Sequence, residues 1–231
     1  DLVDLLMWIL IGLVLGGRVG YVLFYNGEYF LQDPMAIVRI WEGGMSFHGG
    51  LLGGIFLPYF MFVRPNGHPP LAVADMIIPV VPLGLFLGRV GNFINGELWG
   101  RVTDVPWGMV LPGGGPLPRH PSQLYEAFLE GVVLFALLWW LGRKLRPPGF
   151  LLGIFLMGYA LFRFLVEYVR EPDAHLGLGA LELSRGQWLT LPMIALGIYF
   201  FVRAKRQGEP LPQEGGGEGD AQPENVVKAD R

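Results

Sequence analysis

Apolar residues in this chain run in long tracts separated by short polar stretches. The tracts predict hydrophobic helices at about 2–24, 45–63, 71–95, 123–142, 149–169 and 186–202. Several approach the ~20 residues that cross the hydrocarbon of a bilayer. The pattern therefore predicts an all-α fold, a polytopic membrane helical bundle with six spans. The bundle takes in residues 1–206, with extracytoplasmic loops at 25–44, 97–120 and 170–185. From 207 to 231 the chain is acidic and Gly-rich, with too little apolar surface to offset ordering entropy, and predicts a flexible tail. No internal repeat at a fixed period is apparent. The first tract contains Asp4 and Arg18 and lacks the basic leader of a signal peptide. A chain that opens on Asp1 in place of Met is expected to lack an N-terminal piece.

Composition sharpens this picture. Of 231 residues, 52% are apolar and 16% charged, against about 45–50% and about 25% in average globular chains. The shortage of charge matters more, because solvated surfaces need it. Mean hydropathy is +0.43. A net charge of −3 argues against a nucleic-acid partner. With no cysteine, disulfides, thiolate metal sites and a cysteine nucleophile are excluded within the sequence.

Basic residues near span ends set orientation. One set of alternate connections holds seven in tight clusters: Arg64, then Arg143, Lys144 and Arg146, then Arg203, Lys205 and Arg206. The other set holds five in longer loops mixed with acids: Arg39, Arg101, Arg119, Arg170 and Arg185. The first set is expected on the cytoplasmic side.

That parity gathers the intramembrane polar groups in one leaflet. Arg18 and Tyr21 lie near the outer end of the first tract, and His48 opens the second. Arg89, Asn92, Asn95 and Glu97 cluster at the outer end of the third, and Arg163 and Glu167 lie in the outer half of the fifth. A charge within the bilayer costs at least ~2.5–3.5 kcal/mol on insertion scales, so such groups face the interior or a wet cavity. Arg163 and Glu167, four apart, also fit a plain structural ion pair. Arginines converging without matching acids point instead to an anionic ligand, for which the guanidinium fork suits phosphate. Tyr159, Arg163 and Glu167 fall at i, i+4 and i+8, on one helical stripe.

Glycines four apart read first as packing surfaces: Gly12, Gly16 and Gly20, Gly49 with Gly53, Gly50 with Gly54, and Gly84 with Gly88. Gly43, Gly44, Gly49 and Gly50 around His48 are also candidates for close backbone approach to a ligand. His48, His120 and His175 share one side without metal-binding spacing, so no metal is implied.

Gly88-Arg89-Val90-Gly91-Asn92-Phe93-Ile94-Asn95-Gly96-Glu97-Leu98-Trp99-Gly100-Arg101 resembles the signature segment of bacterial prolipoprotein diacylglyceryl transferases. Further segments resemble the same family in the same order. They are Gly17-Arg18-Val19-Gly20-Tyr21 with Phe24-Tyr25, Gly43 to Gly50, Arg119-His120-Pro121-Ser122-Gln123-Leu124-Tyr125-Glu126, Tyr159 to Asp173, and Gly186-Gln187. The resemblance covers about residues 8–202.

It implies transfer of the diacylglyceryl group of phosphatidylglycerol to the lipobox cysteine of a prolipoprotein, with formation of a thioether and release of glycerol phosphate. It implies a multi-pass protein of the bacterial cytoplasmic (inner) membrane, with its site toward the extracytoplasmic leaflet and no cofactor. Its partners would be the phospholipid, the lipobox segment and the bilayer. The matching positions make His48, Arg89 and Arg163 catalytic. They make Tyr21, Asn92, Asn95, Glu97, Arg101, Tyr159 and Glu167 substrate-binding. His48 is the candidate base for the thiol, since imidazole titrates near 6.5 and a free thiol near 8.5. Arg89 and Arg163 would stabilise the departing phosphate. This chain departs from the family in showing six spans where the family has seven, in a short Pro/Gly-rich stretch from Val105 to Arg119, and in its tail.

Rival expectations come from the residues alone. Inward arginines and Gly-rich helices also suit a transporter or channel for an anionic solute. Ser46 beside His48 raises an intramembrane protease, although no nucleophile-elbow pattern surrounds the serine.

Overall fold

A computed structural model describes residues 2–24, 27–171 and 185–208 of the chain. Tyr25, most of the predicted 170–185 loop (His175 included) and the tail from 209 lie outside the described residues. The chain is helical, and among the described residues extended pairing is confined to isolated bridges. In chain order the helices are α1 (Leu2–Phe24), α2 (Gly27–Gln32), α3 (Phe47–Pro58), α4 (Pro70–Ile77), α5 (Val81–Ile94), α6 (Ser122–Glu126), α7 (Leu134–Gly142), α8 (Phe150–Val166) and α9 (Arg185–Gln207).

Four continuous helical stretches are long and apolar enough to cross a membrane: Leu2–Phe24, Pro70–Ile94, Ser122–Gly142 and Gln187–Gln207. Two further apolar helices, Phe47–Val63 and Phe150–Val166, are shorter. Proline punctuates these runs. Pro79 and Pro82 flank the junction of α4 and α5, where Ile78–Val80 tightens to a 3₁₀ turn. Pro58 precedes a π turn at Tyr59–Val63. A second π segment, Ala127–Val133, joins α6 to α7. Such wide turns are rare and gather at functional sites.

α1 and α3 pack backbone to backbone through the predicted glycines. Gly16 faces Gly49 and Gly53, and Gly20 faces Gly49 and Ser46. Gly84 and Gly88 correct the expectation that they pack a helix: a side chain at either would meet nothing within 4 Å. Where α7, α8 and α9 meet, Leu134, Leu138, Phe150, Leu151 and Ala204 form one buried cluster. Leu5, Phe62 and Val63 form another, where α1 meets the end of the second apolar stretch. At the same end, Asp75 of α4 accepts the amides of Gly149 (2.9 Å) and Leu152 (2.8 Å), which caps the first turn of α8 from a neighbouring helix.

At the opposite end, polar connections fold onto the bundle. Arg18 is buried in α1 and donates to the carbonyls of Ala36, Ile37, Arg39, Gly43 and Gly44. It thereby fixes the 36–44 connection. On that connection, outside the spans, the Arg39 guanidinium bonds Asp33 and holds its carboxyl below the ordinary value of 3.8. Residues 99–120 fold onto the far end of α8. Gly100 pairs with Arg170, and Arg119 donates to the carbonyls of Gly100 and Gly114 and to Glu171.

Candidate functional site

α5 carries Arg89 near its C-terminal end, and α8 carries Arg163 near its own. Between them descends the stretch that begins at Ser122. Gly131 makes the close approach possible, since a Cβ there would lie 2.6 Å from the Cβ of Phe86 on α5. The helix widens into its π segment just after Glu126, and Glu126 lies between the two arginines.

Glu126 is the hub. Its Oε2 lies 2.6 Å from Arg89 Nε, and its Oε1 lies 2.6 Å from Arg163 Nη1 and 3.2 Å from Arg170 Nη1. Arg163 turns its Nη2 to Glu167 at 3.0 Å, an ion pair that lacks hydrogen-bond alignment. Glu130 is fully buried below, with Oε2 3.9 Å from Arg89 Nη2 and no hydrogen bond to either oxygen. The arrangement is layered. The side chains of Arg89, Arg163 and Arg170 retain 18, 16 and 11% of their surface, while Glu126 and Glu130 retain 2 and 0%. Arg89 and Arg163 are therefore the more accessible groups and Glu126 and Glu130 the sealed ones, with Arg170 and Glu167, at 11 and 8%, between them.

The two predicted arginines thus meet on one carboxylate. The expectation that they meet without acids is corrected: Glu126, Glu130 and Glu167 accompany Arg89, Arg163 and Arg170. Glu126, Glu130 and Arg170 were missed as candidates. Two carboxylates four residues apart inside an apolar tract were the available signal, because an unpaired acid there is expensive.

The other predicted residues divide. Asn92 and Asn95 both donate to Glu97 Oε1, at 2.9 and 3.4 Å, and fold the turn after α5. Buried Gln123 donates to the Glu97 carbonyl and Ser122 to that of Leu98, which adopts a φ of 57°. Arg101 donates from Nε to the Arg170 carbonyl at 3.0 Å. Tyr159 stacks on Phe155.

Tyr21 packs beside Gly44 and edge-on to Phe30. The space next to Gly44 is thus filled by Tyr21 and Arg18, which corrects the idea that this glycine admits a ligand. Arg18 likewise spends itself on backbone carbonyls. His48 is exposed at the start of α3 and meets Phe47 edge-on. Among the described residues no hydrogen bond or ion pair joins it to Arg89 or Arg163. Ser46 accepts the Gly49 amide as the N-cap of α3, so it serves the helix and not a nucleophile–base pair.

Apolar helices of spanning length with a charged network built into their ends define a multi-pass membrane protein. The chain belongs to the prolipoprotein diacylglyceryl transferase family, whose model matches residues 1–203. It is 59% identical over 204 residues to the phosphatidylglycerol–prolipoprotein diacylglyceryl transferase of Idiomarina loihiensis, covering 88% of this chain and 76% of that protein. The enzyme of the same name from Vibrio parahaemolyticus is 59% identical over 205 residues, covering 89% and 75%. That from Bordetella avium is 56% identical over 213 residues, covering 92% and 80%.

Proposed function

We propose that this protein transfers the diacylglyceryl group of phosphatidylglycerol to the lipobox cysteine of a prolipoprotein. The observation that carries this is the meeting of three guanidiniums, one from α5 and two from α8 and the chain just past it, in a chain of this family. In the proposed reaction the cysteine thiolate attacks the glycerol carbon that bears the phosphate. A carbon–sulfur bond forms and the carbon–oxygen bond breaks. Glycerol phosphate departs with the electron pair, and the thiol proton passes to His48. The sulfur comes from the substrate, which accords with a sequence that has no cysteine.

Arg89 and Arg163 take the charge that builds on the phosphate oxygens. Their donors stand in a fixed arrangement before substrate arrives, so little reorganisation accompanies the chemistry. Asn92, Asn95, Glu97 and Arg101 shape the turn above this cluster, where a lipid head would rest. Tyr159 and Glu167 share the helix of Arg163, and Tyr21 would meet the substrate from α1. Phe47–Val63 and Phe150–Val166 are taken as two further crossings, which gives six spans in the inner membrane and a site at the extracytoplasmic leaflet. The polar cluster at one end favours headgroup chemistry over an anion path through the midplane.

The test supplies membranes containing the protein with labelled phosphatidylglycerol and a lipobox peptide, and seeks the diacylglyceryl thioether by mass. Product from the parent and its loss in Arg163→Ala are expected. Peptide cleavage, or solute flux without lipid turnover, would overturn the reading. His48→Asn is expected to lose turnover most steeply at low pH within the range 6–9. A variant that keeps the parental profile would move the base elsewhere.

A further inference from the structure

The geometry points to Glu126 as the positioning residue that sets Arg89, Arg163 and Arg170 into one anion-receiving face. This deepens the reading above and rests on it for its link to turnover. Three guanidiniums drawn from α5, α8 and the chain just beyond α8 repel one another at such separations, most strongly away from bulk water. Left alone they would splay apart. One carboxylate holds all three: Oε2 takes Arg89, and Oε1 takes both Arg163 and Arg170.

The manner of contact matters as much as the contact. Arg89 is gripped at Nε, 2.6 Å away, so its two Nη groups are not spent on Glu126. Among the described residues Arg170 meets Glu126 through Nη1. The carboxylate is sealed beneath, with 2% of its side-chain surface exposed, and thus does not itself meet a ligand. Arg163 gives Nη1 to Glu126 and Nη2 to Glu167, so an arriving phosphate meets a guanidinium whose place has been fixed from below. Glu126 also reaches beyond the spans, since Arg170 carries the bridge to Gly100 and accepts Arg101 Nε at its carbonyl. Glu130 differs. It lies 3.9 Å from Arg89 and forms no ion pair with Arg163 or Arg170, so it serves as the internal comparison.

The experiment uses the full chain in nanodiscs, with ¹⁵N-labelled arginine side chains followed by NMR. Inorganic phosphate is the probe. In the parent, the Arg89, Arg163 and Arg170 signals are expected to move together with a single midpoint. In Glu126→Gln the three signals should shift before any phosphate is added, and the midpoint should weaken at least tenfold. Glu130→Gln should move Arg89 alone. In the thioether assay, Glu126→Gln should lower kcat at least a hundredfold with the KM for peptide changed less than threefold. Combining it with Arg163→Ala should add no further loss.

Glu126→Asp keeps the charge but shortens the reach. It should retain folding while losing the shared midpoint, and it decides the matter where the glutamine variant does not fold. An unchanged phosphate midpoint in Glu126→Gln or Glu126→Asp would overturn the assignment. So would a kcat within threefold of the parent. If the parent forms no thioether, the transferase reading fails by itself, and the phosphate titration still decides Glu126.

Discussion

Gly12 of α1 and Gly53 of α3 lie so close that a Cβ on either would strike the other's carbonyl oxygen. The obstacle is backbone and not the tip of a flexible side chain, so even one methyl must push the helices apart. Overpacking of this kind costs about 1–3 kcal/mol. Gly53→Ala is expected to lower the thermal midpoint of the protein in nanodiscs by several degrees. Gly84→Ala, where nothing stands within 4 Å, should leave it unchanged. Matching midpoints for Gly53→Ala and the parent would remove close approach as the basis of this pair.

Arg18 donates to five backbone carbonyls of the 36–44 connection. Lysine offers three donors on a single nitrogen and cannot span that set. One hydrogen bond to a charged group contributes about 1.5–3 kcal/mol. Losing at least one predicts that amides of residues 36–44 exchange about tenfold faster in Arg18→Lys, read by hydrogen–deuterium exchange mass spectrometry. Protection equal to the parent would show that the connection is held by other contacts.

The placement of helices was legible because apolar tracts of spanning length leave the chain few alternatives. The glycine faces of α1 and α3 were legible too, since four-residue spacing aligns small residues on one side. Arg18 was visible as an intramembrane charge, but its partners are carbonyls, and no side-chain pattern encodes those. Arg89 and Arg163 were placed together by parity alone. Their shared carboxylate was missed although Glu126 and Glu130 lie four apart within the predicted 123–142 tract, because no spacing ties an acid on one helix to arginines on two others. The π segment that follows Glu126 has no sequence signature either.

Asp75 caps α8 from a neighbouring helix by accepting the amides of Gly149 and Leu152. Helix N-caps contribute about 0.5–2 kcal/mol, and a carboxylate also complements the positive end of the helix dipole. Asp75→Ala removes both acceptors and should destabilise the protein by about 1–2 kcal/mol, measured by thermal unfolding. Asp75→Asn keeps one acceptor oxygen and should fall between the two. The site lies at the opposite end of the bundle from Glu126, so thioether formation by the folded fraction should stay at the parental rate. A rate loss in fully folded Asp75→Ala would show that the two ends are coupled.

Arg163 divides its guanidinium between Glu126 and Glu167, through Nη1 at 2.6 Å and Nη2 at 3.0 Å. A lysine keeps the charge but presents one nitrogen where the fork presents two, and so cannot hold both carboxylates in the same orientation. If Arg163 stabilises charge on a departing phosphate, removing it should cost about 2.7–4 kcal/mol of the barrier, or roughly 10²–10³ in turnover. Arg163→Ala is therefore expected to lose that much kcat in the thioether assay. Arg163→Lys should recover only part, because charge alone restores attraction but not alignment. Recovery to within threefold of the parent would mean that the planar fork is dispensable and that Arg163 acts as a point charge. Full activity in Arg163→Ala would place the anion elsewhere in the bundle.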